Sequence, residues 1–162
     1  MNPCYGVITR QVELLGDRDP LEVLAETPAR LRRVAAERPP DAFGRRPAPG
    51  VWSPLDIVTH LADMEWVFGF RMRTILCDDG PALAGVDQGR WAALGAPRQA
   101  GEAIEMFADL RRWNLAFWRR LTPDQLDRAG RHTEAGLAIS LRLLRRIQAG
   151  HDLSHLGQID ER

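Results

Sequence analysis

The stretch His151-Asp152-Leu153-Ser154-His155 decides how this 162-residue chain has to fold. In a helix, two histidines four residues apart lie about 40° apart on one face and roughly 6 Å apart along the axis. This is the spacing of two metal ligands on one helix. His60 is a third candidate, because it lies in the opening turns of another predicted helix, in Trp52-Ser53-Pro54-Leu55-Asp56-Ile57-Val58-Thr59-His60-Leu61. Two helices could therefore direct three imidazoles at one point.

Capping residues, prolines and apolar spacing predict four helices. The first occupies part of 20–37, where Asp19-Pro20 and Thr27-Pro28 each pair a capping residue with a proline suited to a first turn. The second begins after the cap Ser53 and keeps its helical apolar spacing to about Leu76. The third covers 98–121, and the fourth begins after a cap at Ser140. Its face is predicted to include Leu144, Ile147, Gln148, His151, His155, Gln158 and Ile159.

The segments between these helices carry weaker patterns. A Gly-rich connection of ~20 residues runs to about Pro97, a length that favours a segment crossing the fold or covering a site. Thr122-Pro123 predicts a short helical turn, and 130–137 is expected to be irregular. No succession of strands is predicted.

The fold predicted is an all-α four-helix bundle, formed as a single domain over 1–162. His60 lies early in helix two, whereas His151 and His155 lie late in helix four, so these two helices must run antiparallel if the imidazoles are to meet. Short links make helices one and two antiparallel, and likewise helices three and four. The long crossover then lets helix three run parallel to helix two, which gives an up-down-down-up topology.

Composition excludes some classes of partner. Acidic and basic residues number 22 each, so no general field favours nucleic acid or an anionic membrane. All the basic residues are arginine, a hint of a GC-rich bacterial genome. The two cysteines, Cys4 and Cys77, do not form the spacing pattern of a disulfide-linked fold, so we expect no disulfide. The side chain of Cys77 is expected to be buried. Without a recognisable signal peptide or a membrane-length apolar run, the chain is expected to be soluble and cytoplasmic.

The sequence resembles the DinB-like superfamily of bacterial metal-binding four-helix bundles. The resemblance is carried, in order and spacing, by Trp52-Ser53-Pro54-Leu55-Asp56-Ile57-Val58-Thr59-His60-Leu61-Ala62-Asp63-Met64-Glu65, by Asp87-Gln88 and Trp91, and by His151-Asp152-Leu153-Ser154-His155-Leu156-Gly157-Gln158-Ile159. It implies a divalent metal held by His60, His151 and His155. It also implies the topology argued above, frequent homodimers and no DNA binding. Better understood relatives include thiol transferases that join low-molecular-weight bacterial thiols to electrophiles, and a mycothiol-dependent isomerase domain.

Three neutral imidazoles would leave a divalent ion with its charge and with open coordination positions. Bound water or a bound thiol would then be driven toward its anion. Zinc suits thiolate chemistry, and imidazole also suits nickel, iron and copper, so zinc or nickel is favoured without geometry to separate the candidates. Two ordinary helical histidines that make hydrogen bonds are the alternative.

Several further residues have two interpretations. Asp152 is about 100° around its helix from His151, which favours a surface carboxylate or one that orients a ligand over a general base. Asp63 and Glu65 could orient a histidine or form ion pairs with arginines. Arg71, three turns from His60 on nearly the same face, could hold an anionic substrate or a thiol's carboxylate, although a solvated or salt-bridged arginine is the simpler interpretation.

Four more residues are treated in the same way. Gln158 could form a hydrogen bond in the pocket or seal a helix contact. His132 is interpreted as structural, because it is not one of the matched ligands. Asp87 and Trp91 could belong to a lid, although Trp91 is more simply an anchor for the long connection.

The leading hypothesis is a metal-dependent enzyme acting on an electrophilic small molecule. The reaction would be thiol transfer from a bound thiol, or hydrolysis by water as the nearest variant. The first alternative is a non-catalytic metal- or ligand-binding protein of the stress response, since the sequence shows no convincing general base. The second is an interaction scaffold that binds no metal.

Overall fold

The computed structural model describes residues 3–39, 41–95 and 99–161. Most of them lie in helices, and three short strands form one small sheet. The helices are α1 (Pro3–Leu15), α2 (Pro20–Ala36), α3 (Pro54–Cys77), α4 (Gln88–Ala92), α5 (Ala100–Trp118), α6 (Pro123–Asp127) and α7 (Leu141–Asp160). The strands are β1 (Ala82–Leu83), β2 (Ala129–His132) and β3 (Leu137–Ser140).

The four predicted helices are α2, α3, α5 and α7, and their starts follow from the caps. Asp19 accepts hydrogen bonds from the first turn of α2, and Ser140 caps α7. Ser53 and Asp56 form a reciprocal capping box at the start of α3, which satisfies two backbone donors that the helix itself leaves unpaired. The turn predicted at Thr122-Pro123 is α6. Of the range predicted for helix three, residue 98 lies outside the described residues.

Contacts between α3 and α7 fix their relative direction. His60 lies against His151, and five residues further along α3, Glu65 accepts a hydrogen bond from Gln148. Residue numbers therefore rise along one helix as they fall along the other, and the two helices are antiparallel. The antiparallel arrangement predicted from the histidines is confirmed.

Helix α5 runs parallel to α3, as the long crossover predicted. Arg111 pairs with Glu65, and Asn114 accepts a hydrogen bond from Arg73, so residue numbers rise together along the two helices. Helix α2 runs the other way. Leu24 contacts Arg111, and Arg32 contacts Glu105, so residue numbers rise along α2 as they fall along α5. The up-down-down-up topology is therefore confirmed.

Helix α1 was not predicted. It packs along α7, where Gly150 leaves room for its backbone: a Cβ added at Gly150 would lie 1.9 Å from the carbonyl oxygen of Gln11. Ile8, Val12 and Leu15 recur at helical spacing and pack in the apolar core, so a helical signal was available in this segment and was missed.

The expectation of an irregular 130–137 segment and of no strands was wrong. Strands β2 and β3 pair as an antiparallel hairpin, and β1, from the long crossover, pairs in parallel with β2. Strands of two to four residues are too short to display an alternating pattern, which is why the sequence did not reveal them. Cys77 is also exposed rather than buried, because it is the last residue of α3.

The core consists of two apolar clusters separated by a polar layer. One cluster contains Leu61 and Leu156, and the other contains Val67 and Leu144. Between them along α7 lie residues 150–155, which include the histidine pair. No helix in the described ranges is long and apolar enough to span a membrane.

Candidate metal centre

The three predicted histidines meet at one point in the polar layer. The Nε2 atom of His60 lies 3.0 Å from that of His151, which lies 3.1 Å from Nε2 of His155. Each of the three can offer a ring nitrogen within 4.8 Å of the others. Helix α3 supplies one imidazole from its second turn, and α7 supplies two from neighbouring turns.

The surroundings keep the imidazoles of His60 and His151 neutral. His60 and His151 are each only 4% exposed. Burial, and after it the neighbouring His155, lowers the pKa of His60 to about 3. Burial also holds the pKa of His151 well below its usual 6.5, with His155, His60 and Arg111 adding to the effect. Neutral imidazole is the form that binds a metal ion, so burial favours the ligand state.

Two side chains orient the ring of His155. Its Nδ1 lies 3.1 Å from Oε1 of Gln158, and because that oxygen can only accept, Nδ1 carries the hydrogen and Nε2 keeps its lone pair. Trp52 stacks on the same ring, with the centroids 6.4 Å apart. A hydrogen bond at the far nitrogen is the usual way in which a metal-binding histidine is oriented. The pocket interpretation of Gln158 is thus confirmed.

The donor set fits a divalent ion. Two nitrogens bound to a tetrahedral zinc ion at about 2.0–2.1 Å are about 3.3 Å apart, close to the separations of 3.0 and 3.1 Å observed here. If Nε2 of His151 carried a hydrogen, it could donate to Nε2 of His60 or to Nε2 of His155, but not to both. A cation shared by the three Nε2 atoms would instead accept the lone pair of each. The buried Nδ1 of His151 has no hydrogen-bond partner among the residues described.

A buried ion-pair network lies next to this centre. Arg111 pairs with Asp152 at 2.6 Å and with Glu65 at 2.7 Å, and all three side chains are 1% exposed. The surface interpretation of Asp152 is therefore wrong. The carboxylate of Asp152 forms an ion pair with Arg111, and no hydrogen bond joins it to a histidine in the described part of the chain. The ion-pair interpretation of Glu65 is confirmed.

Sequence reasoning missed Arg111 itself. The signal was available, because Arg111 continues the apolar stripe of α5 at helical spacing from Phe107 to Leu115 and Trp118. A charged residue within such a stripe is buried, and a buried charge requires partners.

The remaining candidates lie away from the three imidazoles. Asp63 is half-buried, and no hydrogen bond or ion pair joins it to them. Asp87 caps α4 by accepting from the backbone N–H of Arg90. Trp91 is 37% exposed and, with Trp66, lines an apolar groove between α3 and the crossover.

A second cluster lies at the other end of α3 and was not predicted. Cys4, His132 and Glu134 could also offer three ligand atoms within 4.8 Å of one another. His132 lies in β2, and its Nε2 is 3.4 Å from Nη2 of Arg71. The solvated interpretation of Arg71 is wrong, since this side chain is buried.

Relatives of this chain carry names that refer to metal. It is 26% identical over 144 residues to "Putative metal-dependent hydrolase YfiT" of Bacillus subtilis (strain 168), with 87% of this chain and 80% of that protein covered. It is 28% identical over 115 residues to "Putative metal-dependent hydrolase OB0782" of Oceanobacillus iheyensis, covering 68% of this chain and 64% of that protein's length.

A solved structure shares the fold. YfiT from Bacillus subtilis, described as "a probable metal-dependent hydrolase with an unusual four-helix bundle topology", superposes with a TM-score of 0.81 at 24% identity, covering 88% of this chain and 82% of that one. The family model of the DinB superfamily matches residues 24–159. Because this match runs through all four bundle helices and includes the three clustered histidines, the chain belongs to the DinB superfamily.

Proposed function

We propose that this chain is a metal-dependent enzyme in which His60, His151 and His155 hold a divalent ion and which hydrolyses an electrophilic small molecule. The observation that carries the proposal is the convergence of three buried or half-buried imidazoles on one point. The names of two relatives as metal-dependent hydrolases support hydrolysis as the reaction.

The residues around the centre have separate roles in this proposal. A divalent ion held by three neutral imidazoles supplies Lewis acidity that favours the anion of water or of a thiol. Gln158 fixes the tautomer of His155, and Trp52 restricts the ring's orientation. Arg111 holds Asp152, the neighbour of His151, in a fixed ion pair, which stabilises the turn of α7 that carries the ligand.

Thiol transfer, implied by the family resemblance, is the second form of this proposal. A low-molecular-weight thiol would take the place of water as the nucleophile. Zinc or nickel is the ion expected, since both suit imidazole ligands. We also propose a homodimer, and the exposed aromatic side chains of Trp66, Phe70 and Trp113 are where a second copy would bury apolar surface.

Turnover tests this function. Untagged protein, reconstituted with zinc or nickel and separately treated with chelator, is assayed on activated esters and amides of small acids, with and without added cysteine. Each assay is compared with a blank that contains the metal and no protein. We expect turnover that requires metal and is lost in His60→Ala, with circular dichroism showing that the variant is folded.

The products distinguish the forms of the proposal. A free acid indicates hydrolysis, and an adduct carrying the cysteine indicates thiol transfer. Bound metal without turnover on the whole panel would instead support a non-catalytic binding protein. Full activity in His60→Ala would show that the site is assigned to the wrong residues.

A further inference from the structure

A cavity of about 100 Å³ lies between α1, α3 and α7 and extends from His151 to Arg71. Strand β1, the start of the crossover and the β2–β3 hairpin close its other sides. Its walls are apolar along the middle, where α3 contributes Phe68 and α7 contributes Leu144 and Ile147. An engineered cavity of about 150 Å³ holds benzene, so this one has room for about four non-hydrogen atoms of a ligand.

Arg71 is a buried cation with incomplete partners. It is 8% exposed, and its Nη2 donates to the carbonyl oxygen of Ala84 at 2.7 Å. Its Nε is buried without an acceptor among the described residues. Burial lowers its pKa, with Cys4 and Glu134 offsetting part of this. A buried guanidinium in this state favours an anion, because burying a charge without a full partner is costly.

A second buried donor borders the same cavity. When Nε2 of His151 binds an ion, its Nδ1 carries the hydrogen, and that atom also has no acceptor in the described part of the chain. Two residues that each have a polar atom without a partner in the described part of the chain therefore line one small cavity, and apolar side chains lie between them. A purely structural role for Arg71 explains its hydrogen bond to the carbonyl oxygen of Ala84 but not its unpaired Nε. A neutral donor could bind that carbonyl oxygen equally well.

We propose that this cavity binds a carboxylate-bearing, short aliphatic part of the substrate, with Arg71 as the residue that selects the negative charge. The inference rests on the proposed function for the identity of the ligand as substrate. The carboxylate would accept from the guanidinium, and about one further carbon would contact the apolar wall, which matches the room for about four non-hydrogen atoms. Arg71 is thus a specificity-determining residue, and no bond is made or broken at it.

Acetate and acetamide test this inference, since each has four non-hydrogen atoms and they share one shape but differ in charge. Their binding is measured by NMR titration to 20 mM, on zinc-loaded protein and on His60→Ala. Arg71→Gln removes the proposed partner. Arg73→Gln is the matched control, since Arg73 lies on the same helix but binds the carbonyl oxygen of Gly69 and Asn114 instead.

The expected result is acetate binding at least tenfold tighter than acetamide in the zinc-loaded protein, in His60→Ala and in Arg73→Gln. Arg71→Gln should bring the two affinities within twofold. Glu134→Gln should strengthen acetate binding, because it removes a negative charge near Arg71. This last variant tests the charge effect independently if Arg71→Gln does not fold.

Three results would overturn the inference: equal affinity for the two ligands, a preference that survives in Arg71→Gln, or no binding by 20 mM. A preference present in zinc-loaded protein but absent from His60→Ala would also overturn it, because the metal would then hold the carboxylate. Failure of the proposed function appears separately, as wild-type protein that binds no metal while the acetate preference persists.

Discussion

Arg111 is the residue on which the polar layer depends. Its guanidinium forms the ion pairs of both Glu65 and Asp152 within the described ranges. It also donates to the backbone carbonyl oxygen of Leu24, so one guanidinium joins α2, α3, α5 and α7. Removing it would leave two carboxylates buried without a countercharge, which costs far more than losing a surface ion pair.

We therefore expect Arg111→Met to lower the free energy of unfolding by about 3–5 kcal/mol. Arg112→Met is the control, because the neighbouring Arg112 pairs with Asp109 on the surface, at 78% and 65% side-chain exposure, and its loss should cost about 0–1 kcal/mol. Urea unfolding followed by circular dichroism measures both. Equal losses in the two variants would contradict the role given to Arg111.

Single residues differ in how well the sequence predicted them. The histidine triad was predictable, because spacing four residues apart and position within a predicted helix both act locally. Asp152 and Arg111 were not, since their burial depends on which helices become neighbours. Cys77 was placed wrongly because a helix's last turn can face solvent even when its apolar stripe is buried.

Helix α1 shows how one element depends on a single small side chain. It lies so close to α7 that any side chain at Gly150 would meet the backbone of Gln11, which cannot move aside as a flexible side chain could. Helix α1 also supplies one wall of the cavity beside His151. The fit of α1 therefore affects both stability and the candidate site.

Gly150→Ala should lower the free energy of unfolding by about 1–3 kcal/mol, because the added methyl forces α1 away from α7. Gly157→Ala, on the same helix with no atom within 4 Å of its added Cβ, should raise it by up to about 1 kcal/mol through helix propensity. Thermal and urea unfolding measure both changes. A stabilised Gly150→Ala would show that α1 does not pack as described.

Elements with strong local signals were predicted, and those formed by tertiary contacts were not. The four bundle helices have caps and long apolar stripes, so their starts were predicted closely. The three strands exist because β1 from the crossover meets the β2–β3 hairpin, and that pairing joins residues 82 and 131. No pattern within either segment reports such a distant partner.

Across the whole molecule, topology follows from the need to bring three histidines together. Placing His60 early in α3 and the pair late in α7 requires antiparallel helices, and the crossover then determines the direction of α5. The resulting bundle places a polar layer between two apolar clusters. That layer contains the imidazoles and the Arg111 network side by side, so the candidate centre lies next to the guanidinium that joins four helices.

The most direct measurement is metal content by elemental mass spectrometry on untagged protein reconstituted with zinc, nickel, manganese and iron. His132→Ala serves as the control, because His132 belongs to the second cluster that could hold an ion. We expect about one ion per chain in the wild type and in His132→Ala, and almost none in His60→Ala or His155→Ala. Metal retained in His60→Ala but lost in His132→Ala, or no metal in any sample, would contradict the three-histidine centre.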